Sequence, residues 1–489
     1  MHALSTPSEA PSGEATAHHA RNLIDGRWVA GATATTVRDK FTDVAIGTCE
    51  YASQDQVADA VAAARRSYES VVLDAQQRYR ILADAARIIE SRRVLLADTI
   101  VAEAGFPYVD AENEVSRTAQ TLLTSAEEAK RLHGDVVPIE AAPGNSHRMA
   151  FTIRVPRGVV CGITAFNSPL NMVAHKIGPA IASGNTIVVK PPEVAPFSAT
   201  YLAEALLEAG LPPSHLNVVQ GAGAEIGRWL VADPRIAFYS FTGSTAVGKS
   251  IRDAIGMRPL ALELGSIAAS VVCADADLDR AATRVVQSAF RRAGQACTST
   301  QRLFVDRRVL AQFEPKLIDA ARALRVGDPH RRDTVIGPMI SSTQAERAQA
   351  WVDEAVAQGA RLLCGGKHDG PLMQPTVLAD VNAGMRVLCD EIFAPVVSIV
   401  PFDDPARAIE QINATPFGLA VGLFTRDVMA AFRMARAIHV GVVHINEPSS
   451  SRVDLMPFSG VKDSGLGTEG PRYAMREMTE ERLITMSLQ

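Results

Sequence analysis

The sequence predicts an α/β protein built from two doubly wound domains. Three observations lead there. With 489 residues, the chain exceeds what one hydrophobic core serves, so it divides into domains. Short β-branched runs alternate with short helical patterns between residues 151 and 263, as in a parallel sheet covered on both faces. The same alternation restarts after residue 263 and continues to residue 446.

Taken in order, the first 20 residues, "MHALSTPSEAPSGEATAHHA", contain no apolar run and no Arg-rich amphipathic pattern. They read as a disordered extension rather than a signal or transit peptide. Helical spacing at i, i+3 and i+4 follows in "QDQVADAVAAARRSYESVV", in "QQRYRILADAARIIESRRVLLADTIVAEAG" and in "DAENEVSRTAQTLLTSAEEAKRLHG". The period then changes. "AFTIRVPRGVVCGITAF", "NTIVVK", "LNVVQ", "IAFYSFTG" and "LALELG" read as strands. "SATYLAEALLEAG", "GAEIGRWLVA" and "TAVGKSIRDAIG" are helices between them. After residue 263, "AASVVCAD", "RLFVDR", "RLLCGG", "PVVSIVPF", "LAVGLFT" and "VGVVHIN" are strands of a second sheet. The tail "RLITMSL" is a short strand far from either core. Together with residues 134–153 it is expected to pair with another subunit.

Bulk properties narrow the function. A hydrophobic fraction of 47%, a charged fraction of 21% and a net charge of -5 describe an ordinary soluble globular chain. No basic block suggests a nucleic-acid or membrane-surface partner. No apolar run approaches the ~18 residues of a membrane span. The six cysteines, Cys49, Cys161, Cys273, Cys297, Cys364 and Cys389, form no CxxC and no zinc spacing, so reduced thiols in a cytoplasm and no metal are expected.

Doubly wound sheets bind ligands at the carboxyl ends of their strands, and the candidate residues cluster there. "TIVVKPPE" ends a strand with Lys190, either a snorkelling edge residue or a ligand contact, with Glu193 three residues on. Together an ammonium and a carboxylate suit ribose hydroxyls. "FTGSTAVGKS" ends a strand, turns at Gly243 and Ser244 and starts a helix whose free N–H groups suit a pyrophosphate or simply cap the turn. "GAGAEIG" is one residue longer than the usual dinucleotide fingerprint and lacks its acidic residue, so it reads as a tight strand-to-helix turn. "PLALELGS" places Glu263 inside an apolar strand, where burial raises a carboxyl toward a useful base, unless a lysine pairs with it. "GITAFNSPL" places Asn167 after a strand, as an oxyanion donor or a turn former. Cys297, in "RRAGQACTST", has small polar neighbours that leave a thiol accessible, whereas "GVVCGI" and "ASVVCA" hold cysteines in apolar strands.

These ordered motifs, with "DEIFAPVV", "PFGLAVGLFT" and "MPFSGVKDSGLG", resemble the aldehyde dehydrogenase superfamily from about residue 22 to the end. The resemblance implies a Rossmann-like dinucleotide-binding domain (21–133 and 154–262), a catalytic domain (263–456) and a small β oligomerisation flap (134–153 and 475–489). It implies Cys297 as nucleophile, Glu263 as general base and Asn167 as oxyanion donor alongside the Cys297 backbone N–H. Lys190 and Glu193 match adenosine-ribose contacts, and Gly243, Ser244 and Gly265 line the cofactor. Glu391 and Phe393 match nicotinamide-ribose contacts. The cofactor implied is NAD, with NADP possible, and the assembly a homodimer or homotetramer. The usual E-L-G-G is here "ELGS", followed by Ile267. Glu263 favours hydrolysis over transfer to coenzyme A.

For the substrate, Arg117 in "NEVSRTAQ" and Arg452 in "EPSSSRVDLMPFSG" resemble positions in members that take small anionic or hydroxylated aldehydes. Both are equally placed to be ordinary salt-bridge partners. Ala296 before the nucleophile argues against a phosphorylated substrate. Aromatic aldehydes, dicarboxylic semialdehydes and a dinucleotide-binding relative without turnover are the alternatives.

Overall fold

The structure is a computed structural model that describes residues 18–488. Most of the expected N-terminal extension therefore lies outside the described residues. Its last three residues, His18–Ala20, are not disordered: they form a strand parallel to Ala45–Tyr51. Burial explains the difference. Ala20 is enclosed with Val37, Cys49 and Phe197, and the His18 ring lies 5.0 Å from that of Phe197.

The first large sheet has five parallel strands at its centre, in the order Leu260–Glu263, Ile236–Thr242, Val159–Ile163, Thr186–Lys190 and Leu216–Val218. Val159–Ile163 and Thr186–Lys190 are buried at every position, which is why they read as mostly apolar runs without polar alternation. Antiparallel strands close both edges: Asn22–Ile24 and Arg27–Val29 on one side, Gly465–Leu466 on the other. Strand order reverses between Val159–Ile163 and Ile236–Thr242, and such switch points open a crevice beyond the strand ends.

The helical period read from Gln76 to Gly105 is two helices, Ala75–Ser91 and Arg93–Ala104. Arg92 leaves helical geometry at φ -98° and ψ 18°, and its guanidinium pairs with Glu208 of a neighbouring helix. The apolar spacing continues across the break, so the sequence does not reveal it.

The second sheet runs Arg361–Cys364, Thr376–Ala379, Val396–Phe402, Arg302–Asp306, Ala269–Val272, Ala420–Phe424 and Val442–Ile445. All neighbours are parallel except the first pair. The chain is thus α/β with two doubly wound sheets. It passes from one to the other in five residues, 264–268. The carboxyl ends of the first sheet's strands therefore face the amino ends of the second's, and the candidate residues lie at this junction.

The C-terminal strand Thr479–Ser487 pairs antiparallel with Arg148–Pro156 of the same chain, from Thr479 opposite Pro156 to Ser487 opposite Arg148. The tail and residues 134–153, expected to act together, thus meet within one chain. "RMAFTIRVP" supplies a strand matched in length, and Val136–Val137 adds a third. The outer edge of Thr479–Ser487 carries no further strand among the described residues. No helix among them is long and apolar enough to cross a membrane.

Candidate active site

From the first sheet, Lys190 ends its strand buried, and its Nζ donates to Glu193 Oε2 at 3.1 Å. Burial lowers the ammonium's proton affinity and Glu193 opposes that. The same Glu193 oxygen accepts from the Gly223 N–H at 2.7 Å. "GAGAEIG" is therefore a strand-to-helix turn, as read, but it also contributes a backbone donor beside Lys190 and Glu193. At the next strand end, Ser244 caps the helix Thr245–Ala254. A Cβ on Gly243 would lie 2.5 Å from the Phe241 ring, and one on Gly248 would lie 2.3 Å from Leu264. These glycines let the helix start sit tight against the sheet.

Glu263 ends the strand Leu260–Glu263, buried, with neither carboxylate oxygen hydrogen-bonded. Burial pushes its pKa well above the usual carboxylate range, Glu469 adds to the rise, and Lys176 and Arg452 oppose it. The asymmetry with Glu469 has a plain cause. Glu469 accepts from Lys176 Nζ at 2.8 Å and from Arg452 Nη2 at 2.7 Å. Burial alone would raise Glu469, but those cations hold it below the usual range. Burial without a bonded partner moves Glu263 up, while two bonded cations move Glu469 down.

From the second sheet comes the turn that carries Cys297. Arg292 and Ala293 both adopt left-handed backbone (φ 53° and 52°), and Gly294 follows at φ 70°. A Cβ on Gly294 would fall 2.1 Å from the Ala394 carbonyl oxygen. Gln295 fixes the far side: its Nε2 donates to the Arg292 carbonyl at 3.2 Å, and its Oε1 accepts from the Ile340 N–H at 2.9 Å. Cys297 itself is half-buried, and the Ser266 hydroxyl donates to its carbonyl oxygen. Ser266 thereby joins the sheet junction to the turn that carries Cys297. Burial pushes the Cys297 thiol up to about 12; Glu263 and Glu391 add to the rise, and Arg452 opposes it. Cys49, Cys161 and Cys273 are fully enclosed.

Glu391 accepts from the Ser266 N–H at 2.8 Å, and burial pushes it up to about 7. A Cβ at Gly265 would meet its Oε2 at 2.5 Å, so Gly265 leaves the room that this carboxyl occupies. Phe393 has a left-handed φ of 51°, and its ring meets that of Phe166 edge-on at 6.1 Å. Asn167 is buried, and its carbonyl oxygen accepts from Arg292 Nη1 at 2.8 Å.

Neither candidate anion anchor is unpaired. Arg117 donates to both oxygens of Asp454, at 2.9 and 2.7 Å. Asp454 also takes His175 and Asn171, at 2.9 and 3.0 Å. Arg452 bonds Glu469 and lies over the Phe458 ring at 4.0 Å. Arg452 also lines an open cleft of about 460 Å³ with Arg291, Ser450 and Ser451. Sequence reasoning passed over Lys176, Glu469, Asp454, Arg291, Arg292 and Glu114. Only "RRAGQAC" held a signal, a pair of arginines shortly before Cys297.

The arrangement fits a dinucleotide. The Lys190–Glu193 pair, the glycine-lined helix start and the Gly265 hollow follow one another along the carboxyl edge of the first sheet.

A chain built this way is a two-domain α/β oxidoreductase. It belongs to the aldehyde dehydrogenase family, whose family model matches residues 28–484. It is 45% identical over 465 residues to a 3-sulfolactaldehyde dehydrogenase of Priestia aryabhattai, covering 95% of this chain and 97% of the relative. It is 36% identical to a lactaldehyde dehydrogenase of Methanocaldococcus jannaschii, covering 95% and 100%. Among solved structures, an NADP-dependent glyceraldehyde-3-phosphate dehydrogenase from Bacillus halodurans, complexed with NADP, superposes with a TM-score of 0.94 at 36% identity. That match covers 96% of this chain and 100% of the other.

The thiol's high pKa gives a direct prediction. Only the thiolate is alkylated, so in the ligand-free protein the rate of iodoacetamide addition at Cys297 should rise about tenfold per pH unit from pH 7 to 9. Mass spectrometry of the Cys297 peptide reads that rate. A plateau by pH 8 would contradict the burial argument.

Proposed function

We propose that the protein oxidises a small anionic or hydroxylated aldehyde to its carboxylic acid with NAD, NADP being an alternative, through covalent catalysis by Cys297. The observation that carries this reading is Glu263: a buried carboxyl without a hydrogen bond, close enough to Cys297 to raise its pKa.

Cys297 attacks the aldehyde carbonyl as thiolate. The Asn167 side-chain amide and the Cys297 backbone N–H donate to the oxyanion that forms. A dinucleotide held by the residues below would supply the hydride acceptor needed to take the thiohemiacetal to the thioester. Glu263, once deprotonated, then draws a proton from water as that water attacks the thioester carbon, and the thiolate leaves. Lys190 and Glu193 would hold the adenosine ribose, Gly243 and Ser244 the pyrophosphate, and Glu391, Phe393 and Gly265 the nicotinamide side. Glu193 disfavours a 2′-phosphate by charge, while Lys190 beside it offsets part of that repulsion.

Substrate class rests on Arg452 and Arg291. Both line the cleft, where Arg291 pairs with Asp110; Cys297, Glu263 and Asn167 lie outside its lining, and Arg452 links it to them by acting electrostatically on Cys297 and Glu263. Arg117, tied to Asp454, does not line that cleft. The sulfonated and hydroxylated aldehydes in the relatives' names fit such a cleft.

NADH formation across an aldehyde panel, with NAD and NADP separately, tests the reaction. Sulfolactaldehyde or lactaldehyde should turn over, and C297S should not; full turnover by C297S ends the covalent reading. For the substrate, R452A should raise KM for anionic aldehydes about 10- to 100-fold, the worth of a hydrogen bond to a charge. An equal rise for propanal would remove the anion-anchor role.

Assembly as a homodimer or homotetramer through residues 134–153 and 475–489 is part of the same proposal. The outer strand Thr479–Ser487 supports it by exposing Leu483 and Met486, with Leu488 just beyond. Light scattering on the whole protein should give a multiple of the chain mass, and a monomer mass would rule it out.

A further inference from the structure

We propose that Arg292 is a positioning residue that sets the spacing between the two halves of the oxyanion site. The inference rests on the reading above, in which Asn167 and the Cys297 N–H hold the oxyanion.

The case begins with backbone. A buried arginine at φ 53°, ψ 37° is a conformation that non-glycine residues seldom adopt, and asparagine tolerates it better. Such outliers persist only where surrounding contacts over-determine them. Here the contacts are made by the side chain. Nη1 donates to the Asn167 carbonyl oxygen at 2.8 Å. Nη2 lies 2.9 Å from Glu114 Oε2, an ion pair out of line for a hydrogen bond, so Nε and Nη2 make none. The guanidinium stacks on the Phe106 ring at 4.3 Å.

Glu114 completes the bridge. Its Oε1 accepts from the Leu170 and Asn171 N–H groups at 3.0 and 3.2 Å, just beyond Asn167. One guanidinium–carboxylate pair therefore grips the Asn167 segment at two points. The main chain of Arg292 meanwhile starts the turn that ends at Cys297, and its carbonyl takes both the backbone N–H and the side chain of Gln295. Arg292 contacts the oxyanion-donor loop with its side chain and the nucleophile turn with its backbone. No other contact described here ties those two loops directly.

The test is a double-mutant cycle. R292N keeps a residue suited to left-handed backbone and removes the guanidinium. Alone, it should lower kcat about 100-fold, comparable to losing one oxyanion donor, with KM changed less than about threefold. In an N167A background the same change should lower kcat less than about threefold, because the group it positions is gone. A near-native R292N, or the same large loss in both backgrounds, would overturn the proposal while leaving the oxyanion reading standing. Native kcat in N167A alone would overturn that reading and this proposal with it. Should R292N be insoluble, R292K is used in the same cycle; it keeps the charge without the fork, and the same non-additivity with N167A is required.

Discussion

The site depends on a turn that the chain would not adopt on its own. Three successive residues, Arg292, Ala293 and Gly294, have left-handed φ, and for non-glycine residues this costs on the order of 1–3 kcal/mol each. The surroundings hold it. Gly294 has no side chain to clash with the Ala394 carbonyl, Gln295 braces the turn against Ile340, and Ser266 ties the Cys297 carbonyl to the sheet junction. An extended or helical path here would carry the thiol away from Glu263. The position of Cys297 is thus set by backbone strain that several independent contacts share.

Around that turn, charge is arranged in closed pairs. Burying an ion is costly unless a partner satisfies it; Lys176–Glu469–Arg452 and His175–Asp454–Arg117 meet that condition with hydrogen bonds, and Arg292–Glu114 by ion pairing alone. The helix Tyr108–Ala129 supplies Glu114 and Arg117. The helix Asn171–Ala182 supplies Asn171, His175 and Lys176. Arg452, Asp454 and Glu469 follow the second sheet. The network therefore locks elements of both sheets together and lowers the proton affinity of Glu469, while Glu263 stays raised. Glu263 alone has no bonded partner, and that leaves it available for chemistry.

Much of this was legible in the sequence because it is local. An apolar run that ends in Lys190 or Glu263, or that leads to Asn167 four residues on, states both the strand and what stands at or beyond its end. The glycine and small polar residues around Cys297 likewise mark an accessible turn. What was not legible is long-range. Arg117 and Asp454 are 337 positions apart, and no spacing rule links them, so Arg117 read only as an arginine on a helix. Glu469 and Lys176 stand in helix- and loop-like contexts that give no hint of a shared pocket. Gly223 was passed over as a turn residue, although its N–H meets Glu193. The strands Asn22–Ile24 and Arg27–Val29 are too short to announce themselves and become strands through pairing with Leu216–Val218 and with each other.

The edge pairing of Leu262 with Leu466 and of Glu263 with Gly465 has a bearing on biosynthesis. During translation the ribosome releases the first sheet long before it makes the strand that covers that sheet's open edge. Until then the backbone flanking Glu263 stays uncapped, so the nascent N-terminal half emerges as an unfinished platform, and its acid-bearing edge sets only in the final moments of elongation.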